Sequence, residues 1–140
     1  MALWLAVLGG MVQADGLAIG PKWHGHEMIF GFGAAALGGF SMAAVPNWTG
    51  TPLFRGGIVI VVVAAWLAGR VGALLPEVAW LDLLFLPTVA MLTLARIVRA
   101  RNHRNLQVPA MFLALAGLNA WHHLDDQALA LRPAVFVVLA

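Results

Sequence analysis

The stretch "WHGHEMIFGFGAAALGGFSMAAV", Trp23–Val45, puts two imidazoles and a carboxylate at the mouth of an apolar run. No residue from Met28 to Val45 carries a charge. A helix that crosses a hydrocarbon core of about 30 Å needs about 20 mostly apolar residues. A segment this apolar must be helical, because lipid offers its backbone no hydrogen-bond partner. The sequence therefore predicts a spanning helix over 23–45. Its mouth poses a chemical question, since ionisable groups beside lipid are costly and need a reason to be there.

The rest of the chain repeats the pattern. Its 140 residues are 62% hydrophobic and 10% charged, against roughly 45–50% and about 25% in soluble domains. This composition predicts an all-α integral membrane bundle folded as a single domain over 1–140. Three further runs reach spanning length: 56–75 if Arg70 snorkels, 78–97 with Asp82 inside and a kink at Pro87, and 106–124. Four full transmembrane helices are expected, with partial ones at 1–12 and 133–140. Twelve residues make only about 18 Å of helix. The "VQA" before Asp15 resembles a signal-peptide cleavage site, but no basic residue precedes it, which argues for a shortened helix instead.

Loop charges give the expected orientation. Arg96, Arg99, Arg101 and Arg104 form the densest basic cluster, and the positive-inside rule places them in the cytoplasm. Pro46–Arg55 then lies inside as well; there Pro46 ends a helix and Trp48 sits at headgroup level. The segments Asp15–Glu27 and His122–Asp126 lie outside, in a bacterial periplasm. His24, His26, His122 and His123 thus share one membrane face, while His103 among the arginines reads as a solvated loop residue. The formal charge of +2 comes mostly from helix-end residues, so the expected partner is the bilayer and not nucleic acid.

With no cysteine in the chain, disulfides, thiolate sites and Fe–S clusters are excluded. Histidine, carboxylate and methionine are the remaining ligand types. No phosphate loop, HExxH or Ser–His–Asp order occurs, and no catalytic residue is assigned. On a regular helix His24 and His26 diverge by about 200°; in an extended segment they would point the same way. Glu27 could orient a ligating imidazole through its second nitrogen, or the whole group could simply face water. In "NAWHHLDD", Asn119–Asp126, adjacent histidines point about 100° apart, so one is expected to face inward. Asn119, one turn deeper, can reach either ring. The plainer reading is histidine favoured at a helix C-terminus. Imidazoles brought from separate helices to one depth suit haem or copper.

Arg70 and Asp82 have two open readings. They tie helices together as an ion pair, or Arg70 meets a haem propionate or substrate anion while Asp82 relays protons. Gly31, Ala35 and Gly39 recur every fourth residue, a spacing that allows close helix packing or a flat face for a macrocycle.

Taken in order, "WHGHEMIFGFGAAALGGF", "AVPNWTG", "WLAGR", "LDLLFLP", "RNHRNL" and "N…HH" resemble the NnrS family over roughly Trp23 to His123. The resemblance implies a bacterial inner-membrane protein carrying haem and copper, linked to nitric oxide stress and denitrification. It makes His24 and His26 candidate metal or haem ligands, joined by His122 or His123, with Glu27, Arg70, Asp82 and Asn119 as supporting or cofactor-contacting residues. It corresponds to about the first third of such a protein, without the family's usual Phe/Pro/Arg-rich opening. A complete site would then need further helices of a larger protein, or a homo-oligomer. Binding, sensing or redox handling of a diatomic is the implied activity. A cofactor-free assembly subunit and a proton or ion pathway are the other classes considered.

Overall fold

The computed structural model describes residues 2–11, 19–124 and 131–139. Val12–Asp15, the stretch that resembles a cleavage site, and the acids at 125 and 126 lie outside them. Among the described residues there are helices, turns and short irregular connections, and no strand. The α-helices are α1 (Ala2–Leu8), α2 (Pro21–His26), α3 (Ala34–Thr49), α4 (Gly57–Gly72), α5 (Phe85–Arg99), α6 (Gln107–Leu124) and α7 (Leu131–Leu139).

The expected span over 23–45 runs from Pro21 to Thr49 as one apolar helix. Pro21 opens it in the first turn, where a missing N–H is harmless. A π-helical turn over Glu27–Gly33 separates α2 from α3. Pro46 does not end α3 as its residue type suggests. The helix continues to Thr49, whose hydroxyl donates to Val45 O at 2.7 Å, and it stops at Gly50, which takes the left-handed conformation (φ 63°) that glycine adopts without strain.

The second helix is shorter than expected. At 16 residues, α4 is about 24 Å long. Arg70 does not snorkel; it turns into the bundle. The third begins as a 3₁₀ segment, Pro76–Leu83, with an irregular residue at Val78, and continues as α5. Pro87 makes no kink. It lies in the first turn of α5, where backbone N–H groups have no partner within the helix. Among the described residues two helices, Pro21–Thr49 and Pro76–Arg99, are long and apolar enough to cross a membrane. α6 has 18 residues, but Asn119, His122 and His123 make its last turns polar.

Phe30, Ala34, Phe85, Leu86, Val89, Phe112, Leu115 and Ala134 form the core, drawn from the π-helical turn, α3, α5, α6 and α7. The outer faces are also apolar: Phe32, Phe40, Ile60, Met91 and Phe136 are each more than 60% exposed. Such a surface suits lipid better than water. At one end Arg96 donates to Thr51 Oγ1 (2.8 Å) and Asn102 Nδ2 donates to Trp48 O (2.9 Å), which ties the arginine loop to the end of α3. The polar cluster described next occupies the opposite end.

Candidate metal centre

Four elements converge on Asp82. The 3₁₀ segment delivers its carboxylate to the interior, where the residue is 2% exposed. This placement depends on two glycines of α4. A Cβ at Gly69 would lie 3.1 Å from Asp82 Oδ1, and one at Gly72 would lie 2.9 Å from Val78 O and 3.0 Å from Asp82 N. Hydrogen in place of a side chain lets the two backbones meet.

Both carboxylate oxygens are used. Arg70 Nη2 donates to Oδ1 at 2.8 Å. On Oδ2 converge Asn119 Nδ2 (2.9 Å), His123 Nε2 (3.2 Å) and His26 Nε2 (2.9 Å). His26 Nε2 also lies 2.9 Å from Asn119 Oδ1. The other nitrogen of His26, Nδ1, is 3.5 Å from Glu27 Oε1, and Arg70 Nη1 bonds that same oxygen. Glu27 and Asp82 therefore flank Arg70. Two carboxylates against one guanidinium leave one formal negative charge, which a cation among the imidazoles would neutralise.

The π-helical turn sets this register. It carries one extra residue per turn, and such turns recur at functional sites. Here His26 faces Asp82 while the adjacent Glu27 faces Arg70. Trp66 Nε1 donates to Gly31 O at 3.0 Å, and Arg70 lies 5.6 Å from the centroid of the Trp66 ring. A Cβ at Gly31 would collide with Arg70 Nη1 and sit 3.1 Å from Glu27 Oε2. Gly31 thus makes room for an arginine. Packing runs instead through Gly38, where a Cβ would meet Phe85 Cζ at 3.0 Å, while Gly39 has nothing within 4 Å.

His26, His122 and His123 come together. The His122 ring is buried and stacks on His26 with centroids 4.9 Å apart. The His123 centroid is 5.7 Å from that of His26. Both adjacent histidines thus face the cluster, where one was expected, because the last turn of α6 sits over the α2 end and spreads the two rings around His26. Asn119 reaches across to His26 and Asp82. His24 lies on helical backbone with His26, so the two rings diverge, and His24 is not part of the three-residue donor group. Gly69, Gly72 and Trp66 were not singled out in the sequence, although "WLAGRVG" places small residues on both sides of Arg70; Gly31 was read there as a helix-packing or macrocycle face, and it makes room for Arg70 instead.

His26, Asp82 and His123 each offer a donor atom, and these atoms all lie within 4.8 Å of one another. Two imidazoles and a carboxylate suit copper, iron or zinc. The three donor atoms lie close enough together for a single ion to reach all of them. Stacked rings at His26 and His122 leave no gap between them for a macrocycle. A cavity of about 620 Å³ adjoins the cluster, lined by Lys22, Trp23, Gly72, Pro76, Ala79 and the three histidines among others.

Arg70→Gln is expected to lower unfolding stability by about 3 kcal/mol, because it leaves the buried carboxylate of Asp82 and the half-buried one of Glu27 without their shared cation. Thermal unfolding in detergent checks this, and an unchanged midpoint would show that the ion pairs do not hold the site.

Fold and cluster together define a helical protein with apolar spans and a carboxylate-centred histidine site at one bundle end. The family model described as NnrS protein matches residues 1–140, and the chain belongs to the NnrS family. No curated protein and no solved structure matches it.

Proposed function

We propose that this chain is a bacterial inner-membrane protein that crosses the bilayer four times and holds a copper-class ion at His26, Asp82 and His123 for nitric oxide tolerance. The meeting of these three donors, brought from separate elements, carries the reading. The membrane reading is supported by the apolar outer faces and the two spanning-length helices. Loop charge favours a cytoplasmic Arg96–Arg104 loop and a periplasmic histidine cluster.

The chain's own residues divide the work. His26 and His123 supply neutral imidazole nitrogens once their Nε2 protons leave, and Asp82 supplies an anionic oxygen. Glu27 Oε1 lies 3.5 Å from His26 Nδ1, which favours the ring orientation that turns Nε2 to the site. Asn119 holds Asp82 Oδ2 in register, and Arg70 compensates the two carboxylates. A copper ion bound here would supply one-electron redox chemistry and affinity for a diatomic ligand. Haem is the second reading, favoured by the adjoining cavity with His122 and His123 on its wall; a cavity of this size lies within the range of ligand pockets, about 300–1,000 Å³. Arg70 already bonds Glu27 and Asp82 through its two Nη atoms, so a propionate would share a guanidinium that two carboxylates hold. A homo-oligomer or further helices of a larger protein would cover the open side of that cavity.

Expression in a nitric-oxide-sensitive bacterial strain tests the function. The wild-type protein is expected to shorten the growth lag after a nitric oxide donor, and His26→Ala to remove that protection. Equal protection by both would contradict the reading.

A further inference from the structure

An apolar groove of about 550 Å³ lies between α3 and α4, running from Trp66 to Leu53 and Phe54, toward the end of the molecule away from the histidines. Ala35, Gly39 and Ala43 form one wall, Val59, Val62, Val63 and Trp66 the other, and Phe85 the floor. Trp66 is the wall's polar side chain, and its indole N–H is taken by Gly31 O. From Ala35 to Ala43 the groove follows α3 for about 12 Å of helical rise. That is close to one leaflet of a hydrocarbon core about 30 Å thick.

The groove ends in positive charge. Leu53 and Phe54 close it, and the Arg96 guanidinium lies 4.2 Å from the centroid of the Phe54 ring. Arg96 uses Nη1 to hold Thr51 Oγ1 and Pro52 O; its outer edge makes no hydrogen bond to another described residue. Arg55, next to Phe54, is exposed. Arg99, Arg101 and Arg104 follow at the same end, and the sequence has no acid from Met28 to Pro76 or from Leu83 to Leu124. An apolar slot one leaflet deep, opening at uncompensated arginines, matches an acyl chain below an anionic headgroup.

We propose that this groove is a binding site for one anionic phospholipid, with an acyl chain between α3 and α4 and its phosphate against Arg55 and the outer edge of Arg96. Each arginine near an anionic surface contributes roughly fivefold in affinity. A Cβ added at Gly39 would have nothing within 4 Å, so a side chain there starts into open space along the groove wall, and the unfolding midpoint of Gly39→Leu checks that the fold is kept. The site is separate from the histidine cluster and does not depend on its metal.

The test is native mass spectrometry of delipidated full-length protein in detergent, with phosphatidylglycerol or phosphatidylcholine added back. One phosphatidylglycerol per chain is expected, retained at least about fivefold better than phosphatidylcholine. Arg55→Gln should weaken phosphatidylglycerol retention roughly fivefold and leave phosphatidylcholine unchanged. Gly39→Leu should abolish retention of both lipids without changing metal content. Equal retention of the two lipids, or wild-type retention by both variants, would overturn the proposal. So would a Gly39→Leu chain that keeps its lipid but loses self-association, since a second copy would then be the occupant.

Discussion

Asp82→Asn is expected to abolish ion binding at the proposed metal site, lowering ion affinity by at least about 100-fold, and to cost about 3 kcal/mol of stability. One carboxylate serves Arg70, His26, His123 and Asn119. The amide keeps its shape but replaces one acceptor oxygen with an N–H₂ donor. It then turns a donor toward either Arg70 or the ring nitrogens and supplies no charge to any of them. Glu27 still holds Arg70, which keeps the loss at the low end of the range for a broken buried pair. Metal titration and thermal unfolding in detergent read the two effects separately. Wild-type ion affinity in Asp82→Asn would remove the carboxylate from the site.

Gly72→Ala is expected to be the most damaging of the helix glycine substitutions. Alanine is normally the better helix residue by about 1 kcal/mol, so intrinsic propensity predicts a gain. The new methyl would sit 2.9 Å from Val78 O and 3.0 Å from Asp82 N, both backbone atoms that cannot rotate away. The 3₁₀ segment must move, carrying Asp82 out of reach of His26 and His123. A loss of about 1–3 kcal/mol from overpacking, together with weakened ion binding, is the expected result. Gly117→Ala, with nothing within 4 Å, is the matched comparison and should stabilise by about 0.4–1 kcal/mol. Unfolding midpoints of the two variants that move in the same direction would contradict this packing.

The helices were legible because lipid-compatible composition leaves the backbone few alternatives. The long helix through Phe30 and Val45 could be read directly from its uncharged run. Prolines were harder to read. Pro46 and Pro87 both suggest a break or kink, yet what a proline does depends on where its missing N–H falls, and position within the helix is set by capping at Gly50 and by the 3₁₀ segment. The histidines were assigned to one end of the bundle by loop charge alone. The convergence of Asn119, His26 and His123 on one oxygen of Asp82 was not legible, because it depends on a π-helical turn that shifts the register after His26. Residue periodicity at 3.6 does not announce such a turn. Gly69 and Gly72 looked like ordinary small helix residues until Asp82 was placed against them.

Metal content of the purified full chain after loading with copper and removal of excess ion bears most directly on the site. One ion per chain is expected in the wild type and in His24→Ala, with nitrogen hyperfine structure in the Cu(II) electron paramagnetic resonance spectrum. His26→Ala and His123→Ala should each lose the ion and that signature while keeping wild-type helical content. A wild-type chain that retains no ion, or a His26→Ala chain that retains it with the same spectrum, would contradict a metal centre at His26, Asp82 and His123.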